Sequence, residues 1–129
     1  MTNKIFVFGS NLAGRHGKGA ALFAKNNHGA IYGQGEGLQG SSYGIPTKDL
    51  KIKTLALEDV KKHVDKFIEF AILHPELTFQ LTPIGCGLAG YKPEQIAPMF
   101  ETVPENVLLP LEFILCLKRS NSLDNFKKI

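Results

Sequence analysis

Two clusters of glycines follow short apolar runs, and they are the residues of this chain best suited to hold an anion. Ten of the thirteen glycines lie between Gly9 and Gly44, and the others are Gly85, Gly87 and Gly90. Glycine lets the main chain adopt positive φ angles and pass close to a ligand. In α/β sheets, loops at strand ends bind phosphorylated ligands through backbone N–H groups. The clusters therefore predict a binding or catalytic site built from loops.

The first cluster contains Gly17, Lys18 and Gly19, directly before an apolar segment that starts at Ala20. Backbone N–H groups at a helix start hold anions, although a purely structural turn would use glycine as well. The phosphate-loop pattern GxxxxGK[ST] fails here because glycine follows Lys18, which argues against an NTPase. A GxGxxG pattern begins at Gly35, but no helix follows it, so we interpret it as a loop.

The second cluster surrounds Cys86, and no histidine lies near this cysteine in the sequence. A packing thiol is therefore favoured over a nucleophile. Tyr91 suits either stacking on a sugar or base or closing the pocket, and Asn11 suits either a ribose or base edge or a turn cap. His16 is the histidine that lies in a candidate loop. No pair of histidines has metal-ligand spacing, so we expect no metal ion and no cofactor.

The composition predicts a single globular domain over residues 1–129, with 43% hydrophobic residues and a net charge of +3. The lysines are scattered rather than aligned, so a nucleic-acid partner is not expected. Cys86 and Cys116 are isolated, which is not typical of a disulfide scaffold. The opening residues lack a signal-peptide pattern, and no apolar run is long enough to span a membrane. We therefore expect a cytoplasmic protein without a membrane partner.

Strands and helices alternate along the chain. Strands are predicted at residues 5–8, 42–45, 78–84, 107–109 and 113–117, and helices at 19–27, 58–73 and 93–100. Pro46 is expected to end its strand, and Pro98 to shorten its helix. Residues 119–129 are expected to form a polar tail or a short helix. This order favours an α/β domain of three layers with a parallel or mixed central sheet.

Several segments resemble those of the macro domain, nearest the branch that contains the terminal ADP-ribose glutamate hydrolases. The resemblance spans roughly residues 5–100 and implies a three-layer α/β/α sandwich with a mixed sheet and an ADP-ribose cleft. The matching segments are Gly9-Ser10-Asn11, Gly17-Lys18-Gly19-Ala20-Ala21-Leu22-Phe23, Gly44-Ile45-Pro46-Thr47-Lys48 and Ile84-Gly85-Cys86-Gly87-Leu88.

The resemblance also implies roles for individual residues. Lys48 matches the lysine that attacks the anomeric carbon of the sugar in that hydrolase branch. Residues 17–20 and 85–90 would line the two sides of the diphosphate, and Asn11 would approach the ribose or adenine. The implied ligand-binding residues are Gly9, Ser10, Asn11, Gly17, Lys18, Gly19, Ala20, Thr47, Ile84, Gly85, Cys86, Gly87, Leu88, Ala89, Gly90 and Tyr91.

The chain departs from this branch at Ala89, where the hydrolases have an aspartate. Alanine cannot transfer a proton, so Asp49 and Glu36 are the candidates to replace that carboxylate. The implied function is binding of ADP-ribose or a related nucleotide diphosphate sugar, with hydrolysis of an ADP-ribose derivative through Lys48. The alternatives are a non-catalytic reader of an ADP-ribosylated macromolecule and a protein-interaction module without a nucleotide ligand.

Overall fold

A five-stranded mixed sheet forms the centre of the molecule. The computed structural model describes the backbone of residues 3–127 and the side chains of residues 3–119. The strand order is β2-β3-β1-β4-β5; β1, β3, β4 and β5 are parallel, and β2 is antiparallel to β3. The strands are β1 (Lys4–Asn11), β2 (Gly37–Gln39), β3 (Ser42–Lys48), β4 (Thr78–Leu81) and β5 (Val107–Leu108). The α/β class and the mixed central sheet are therefore confirmed.

The side chains of β1 alternate between two separate apolar clusters. Ile5 and Val7 belong to the larger cluster, whereas Phe8, with Phe6 packed beside it, belongs to the smaller one. Successive residues of a strand point to opposite faces of its sheet. The uninterrupted apolar run of β1 is thus explained by burial of both faces.

Four α-helices connect and cover the strands. The helices are α1 (Gly19–Asn27), α2 (Leu57–Leu73), α3 (Pro93–Ile96) and α4 (Leu111–Lys127), and a 3₁₀ turn (Ala97–Phe100) follows α3. The predicted helices at residues 19–27 and 58–73 are confirmed to within one residue. Pro98 lies in the 3₁₀ turn, where the regular helix ends as expected.

Helix α2 supplies much of the larger core because its apolar residues recur at helical spacing. Val60, Val64 and Phe67 are fully buried. The Phe67 ring packs edge-on against the Phe79 ring of β4, with 5.3 Å between the ring centroids. Helix α1 has a smaller apolar face, in which the buried residues are alanines. These small side chains let the helix approach Phe8 closely.

The strand predicted at residues 113–117 is wrong, because these residues belong to α4. Pro110 precedes the helix, and its carbonyl accepts hydrogen bonds from the Phe113 and Ile114 N–H groups. Phe113 is fully buried, and Cys116 and Leu117 are half-buried one turn later. This spacing buries one helix face. Of the predicted tail, α4 includes residues 119–127, and residues 128 and 129 lie outside the described part.

Pro46 does not end β3, which continues to Lys48. Strand β2 pairs only with Ser42, Tyr43 and Gly44, so β3 has no neighbour on that side at Pro46. A proline is tolerated in a strand where its missing N–H has no partner to serve. The extension places Thr47 and Lys48 at the carboxyl edge of the sheet. Among the described residues, no helix is long and apolar enough to cross a membrane.

Candidate functional site

A cavity of about 660 Å³ opens at the carboxyl ends of β1, β3 and β4. Since these strands are parallel, the loops that follow them meet at one edge of the sheet. The cavity is lined by Gly9, Ser10, Asn11, Arg15, Gly17, Lys18, Gly19, Ala20, Ala21, Tyr32, Thr47, Lys48, Ile52, Thr82, Pro83, Ile84, Gly85, Cys86, Gly87, Leu88, Ala89, Pro93 and Glu112. Lys48 and nearly all the binding residues expected from the sequence are therefore brought together.

The amino end of α1 forms one wall of this cavity. Its N-cap residue, Lys18, is extended, and no side chain caps the helix. Gly19 begins the helix with a φ of 56°, and an added Cβ there would lie 3.5 Å from a methyl group of Leu88. The first N–H groups of a helix lack intrahelical partners and carry partial positive charge. This wall therefore presents N–H groups suited to an anion.

The loop of residues 85–90 forms the opposite wall through residues 85–89. The Tyr91 N–H donates to the Gly85 carbonyl at 2.8 Å, and the Gly90 N–H donates to the Gly87 carbonyl at 3.1 Å. Gly85 has a φ of 78° and lies against Ile96, whereas the space around Gly87 is open. The hydrogen bonds fix the loop, and Gly87 exposes its main chain beside the cavity.

Lys48 is half-buried at the end of β3. Its carbonyl accepts a hydrogen bond from the Leu12 N–H at 2.9 Å, which fixes its backbone beside β1. Within residues 3–119, the Lys48 ammonium has neither a hydrogen bond nor an ion pair. The amine is therefore held at the cavity with its donors available to a ligand.

Glu112 is the acidic residue that lines the cavity. It lies in the first turn of α4, where a negative side chain is favoured by the helix dipole. The cationic lining residues are Arg15, Lys18 and Lys48, and Glu112 is the acidic one. The lining therefore carries a net positive charge with one group able to accept a proton or a hydrogen bond.

The Cys86 thiol is poorly suited to nucleophilic attack. Burial raises its pKa to about 11, and the negative charge of Glu112 acts in the same direction. A thiol with such a pKa is almost entirely protonated near neutral pH, and the thiolate is the nucleophilic form. Both Cys86 and Cys116 are free. The structure agrees with the interpretation of Cys86 as a packing residue that lines the cavity.

Several lining residues use their polar groups to fix the loops. The Asn11 amide donates to the Arg15 carbonyl at 2.8 Å and accepts from the Arg15 N–H at 2.9 Å. The Ser10 hydroxyl donates to the Gly35 carbonyl, and the Thr47 hydroxyl donates to the Ser10 carbonyl at 3.3 Å. Asn11 thus acts as a loop cap, the second of its two sequence interpretations.

Gly90 and Tyr91 do not line the cavity, although both were expected there. The Tyr91 hydroxyl donates to the Leu55 carbonyl at 2.6 Å, which connects the end of the second glycine loop to the segment after β3. Asp49 accepts hydrogen bonds from the Lys51 and Lys53 N–H groups, and these bonds lower its pKa. Asp49 is therefore occupied in a turn outside the lining.

Glu36 is also away from the cavity. Its carboxylate contacts the His63 ring at 2.5 Å and the Lys66 ammonium at 3.1 Å, so it ties its loop to α2. Neither carboxylate suggested as a replacement for the missing aspartate lines the site. The cavity instead contains Glu112, which the sequence did not indicate.

The lining residues missed from the sequence fall into two groups. The first group lies inside or beside predicted loops or directly after the start of α1, so its position along the chain was a usable signal; it comprises Arg15, Ala21, Tyr32, Thr82, Pro83 and Pro93. Ile52 and Glu112 carried no such signal, since the first lies in an unpredicted turn and the second precedes a segment taken for a strand. His16, in contrast, is fully buried, with its Nε2 2.9 Å from the Gln34 carbonyl.

Comparisons with known proteins leave the family open. The chain matched no protein-family model, no curated protein and no solved structure. Within the described residues, no group of three or more histidine, cysteine, aspartate or glutamate side chains is placed to hold a metal ion. The chemistry of the cavity therefore has to be inferred from its own donors, acceptors and charges.

Proposed function

We propose that this chain is a macro-like domain that binds ADP-ribose or a related nucleotide diphosphate sugar in the cavity at the sheet edge. The observation that carries the proposal is the pair of facing walls: the uncapped start of α1 and the loop of residues 85–90. Both offer main-chain N–H groups, which suit the oxygens of a diphosphate. Arg15 and Lys18 add positive charge at the same place.

The size of the cavity suits a ligand of this class. Pockets for small molecules and cofactors generally occupy ~300 to 1,000 Å³, and this cavity has a volume of about 660 Å³. Most of its lining is apolar or glycine, with a few charged groups among them. Such a lining favours a ligand that combines a charged centre with sugar or base surfaces.

The two apolar clusters support the finer fold that we propose, a three-layer α/β/α sandwich of the macro type. The smaller cluster joins α1 to β1, and the larger one joins α2, α3 and α4 to the sheet. Neighbouring residues of β1 divide between the clusters, as expected for helices on both faces of a sheet. The proposed fold and the proposed ligand site agree, because such sheets bind ligands at their carboxyl edge.

Calorimetric titration tests the binding. ADP-ribose is expected to bind with micromolar affinity, and ADP and AMP more weakly. Lys18→Glu should weaken ADP-ribose binding at least tenfold, because it places a negative charge beside the diphosphate. Lys25→Glu is the matched control, since Lys25 lies in the last turn of the same helix and away from the cavity. Absence of heat with all three nucleotides would contradict the proposal.

Lys48 supports a hydrolytic reaction in the same cavity. In its neutral form, its Nζ would attack the anomeric carbon and form a C–N bond while the bond to the leaving group breaks with its electron pair. Water would then attack the same carbon, give a proton to a base and release the lysine. Glu112 is the carboxylate of the lining that can accept that proton.

A non-catalytic reader is the second candidate, and Ala89 is the observation that favours it. Ala89 lines the cavity but offers no group that can transfer a proton. Lys48→Ala separates the two functions. An enzyme should lose turnover of an ADP-ribosylated substrate, whereas a reader should show no turnover in either form and retain most of its affinity.

A further inference from the structure

Ile52 has a strained backbone at the edge of the cavity. Its φ is 63°, and among the described residues every other positive φ belongs to glycine. A β-branched residue is poorly suited to this region, because its Cβ substituents crowd the neighbouring backbone. Strain of this kind persists only where the surroundings enforce it, and it concentrates at sites that hold ligands.

The turn around Ile52 enforces this conformation through Asp49. The Asp49 carboxylate accepts hydrogen bonds from the Lys51 N–H at 2.8 Å and the Lys53 N–H at 3.0 Å. The Asp49 N–H donates to the Lys53 carbonyl at 2.8 Å, and the Ile52 N–H donates to the Asp49 carbonyl at 3.1 Å. The backbone of Ile52 is thus fixed from both sides.

The same turn is hydrogen-bonded to two segments that line the cavity. Thr54 forms an antiparallel bridge with Lys48, and its hydroxyl donates to the Ala89 carbonyl at 2.9 Å. The Leu55 N–H donates to the Thr47 carbonyl at 2.9 Å. These contacts hold the turn between the end of β3 and the loop of residues 85–90, next to the backbone of Lys48.

The Ile52 side chain is placed where it can contact a ligand, although its backbone is strained. Ile52 lines the cavity and is half-buried, whereas Leu50 of the same turn is 68% exposed and outside the lining. Glycine or asparagine would complete such a turn with less strain. An isoleucine here adds an apolar wall that these residues would not provide.

We propose that Ile52 is a specificity-determining residue that packs against the ligand beside Lys48, at the sugar end of the cavity. The inference rests on the proposed function, in which Lys48 faces the anomeric carbon. The rigid turn supplies an apolar surface for the sugar ring or for the group attached to it. The strain lowers the stability of the free protein, and the contact favours ligands that extend past the diphosphate.

Three variants test this role: Ile52→Gly, Ile52→Ala and the matched control Leu50→Gly. Their melting temperatures and their affinities for ADP-ribose and ADP are measured by calorimetry. Ile52→Gly should melt about 3 °C above the wild-type chain because the strain is relieved. It should bind ADP-ribose about fivefold more weakly while its affinity for ADP changes less than twofold.

The other two variants separate the side chain from the backbone. Ile52→Ala should lose the same affinity as Ile52→Gly but melt below it, because alanine keeps the positive φ. Leu50→Gly should leave both affinities unchanged and should not raise the melting temperature. Together these results would assign the contact to the Ile52 side chain and the strain to its backbone.

Two results would overturn the inference while leaving the proposed function intact. The first is wild-type affinity for ADP-ribose in Ile52→Gly, and the second is an equal loss of affinity for ADP and ADP-ribose. In contrast, a wild-type chain that binds neither nucleotide overturns the proposed function and the inference together. The wild-type titration therefore distinguishes the two failures.

Discussion

The glycines of residues 29–44 and those on the cavity walls differ in what surrounds them. At four of the six glycines of residues 29–44 (Gly29, Gly35, Gly40 and Gly44), an added Cβ would meet backbone atoms, at 2.2 Å for Gly35 and 2.6 Å for Gly44. At Gly17 and Gly87 of the cavity walls, an added Cβ would meet nothing within 4 Å. The first set allows backbones to pack against one another, and the second leaves main chain open to a ligand.

The polar side chains of the two regions differ in the same way. In the packed region, Gln39 is almost fully buried; its side chain accepts from the Ile31 N–H at 2.8 Å and donates to the Gln34 carbonyl at 3.1 Å. On the cavity walls, the ammonium groups of Lys18 and Lys48 have no hydrogen bond or ion pair within residues 3–119. Glycine content alone therefore does not distinguish a candidate ligand site from a packed segment; the cavity walls differ in having, within the described residues, cationic groups without a protein partner beside open glycines.

The largest effect is expected in the packed region, from Gly35→Ala. The new methyl group would overlap the Asn11 carbonyl, and this backbone cannot move without disturbing β1. We expect the free energy of unfolding to fall by about 3 kcal/mol, the upper range for overpacking. Urea denaturation followed by circular dichroism measures the change. A loss below ~0.5 kcal/mol, the usual range for surface changes, would show that this region is not tightly packed.

Lys48→Ala is expected to affect turnover rather than stability. If the cavity is hydrolytic, turnover of an ADP-ribosylated substrate should fall at least about 100-fold, or roughly 2.7 kcal/mol, because the attacking amine is gone. The melting temperature should change little, since the Lys48 ammonium has no partner within residues 3–119. Lys53→Ala, in the adjacent turn and outside the lining, is the control. Equal turnover in Lys48→Ala and the wild-type chain would contradict this role.

Gly87→Ala reverses the pattern expected for Gly35→Ala. No atom obstructs the added methyl group in the free protein, so stability should remain within ~0.5 kcal/mol of wild type. A ligand that contacts the main chain there would be displaced, so affinity for ADP-ribose should fall about tenfold, or roughly 1.4 kcal/mol. Calorimetry and thermal melting provide both values. Unchanged affinity would show that the ligand does not approach this loop.

The smallest effect concerns the charge of Glu112 near Cys86. With a thiol pKa of about 11, alkylation by iodoacetamide should be slow at pH 8 and rise about tenfold per pH unit up to that pKa. Glu112→Gln removes a negative charge that raises the pKa, so the rate at pH 8 should rise about twofold to threefold. A Cys116→Ser background isolates the reaction.

Glu94→Gln is the matched control for this charge effect. Glu94 also raises the pKa of Cys86, but its contribution ranks below that of Glu112. Its substitution should therefore accelerate alkylation less. If Glu94→Gln has the larger effect, the carboxylate of Glu112 does not lie near the thiol as the structure places it.

The sequence predicted the elements whose signals are local. Helix α1 was predicted at its observed bounds because glycine precedes its apolar segment and asparagines end it. The two glycine loops of the cavity were predicted because loops after the strands of an α/β sheet meet at one edge, whereas the individual binding residues, Lys48 among them, were implied by the family resemblance. The start of α4 was not predicted as a helix, because an apolar run such as residues 113–117 suits a buried strand as well as a helix face. Its assignment depends on packing against α3 and the 3₁₀ turn.

Ile52 and Glu112 could not be predicted as cavity residues from the sequence, for a related reason. Nothing near Ile52 in the sequence predicts a positive φ, because the conformation results from hydrogen bonds that close the turn. Glu112 is distant in sequence from the glycine loops and reaches the cavity only because α4 folds back against α3. Residues brought to a site by long-range packing leave no local pattern.

An NMR titration with ADP-ribose tests most directly the difference between open and packed glycines. The amide signals of residues 17–20 and 85–89 should shift strongly and saturably, while those of residues 33–44 should remain close to their positions in the free protein. AMP should produce smaller shifts at the same amides. Strong shifts confined to residues 33–44, or no saturable shifts, would contradict the assignment of the ligand to the open glycines beside α1 and β4.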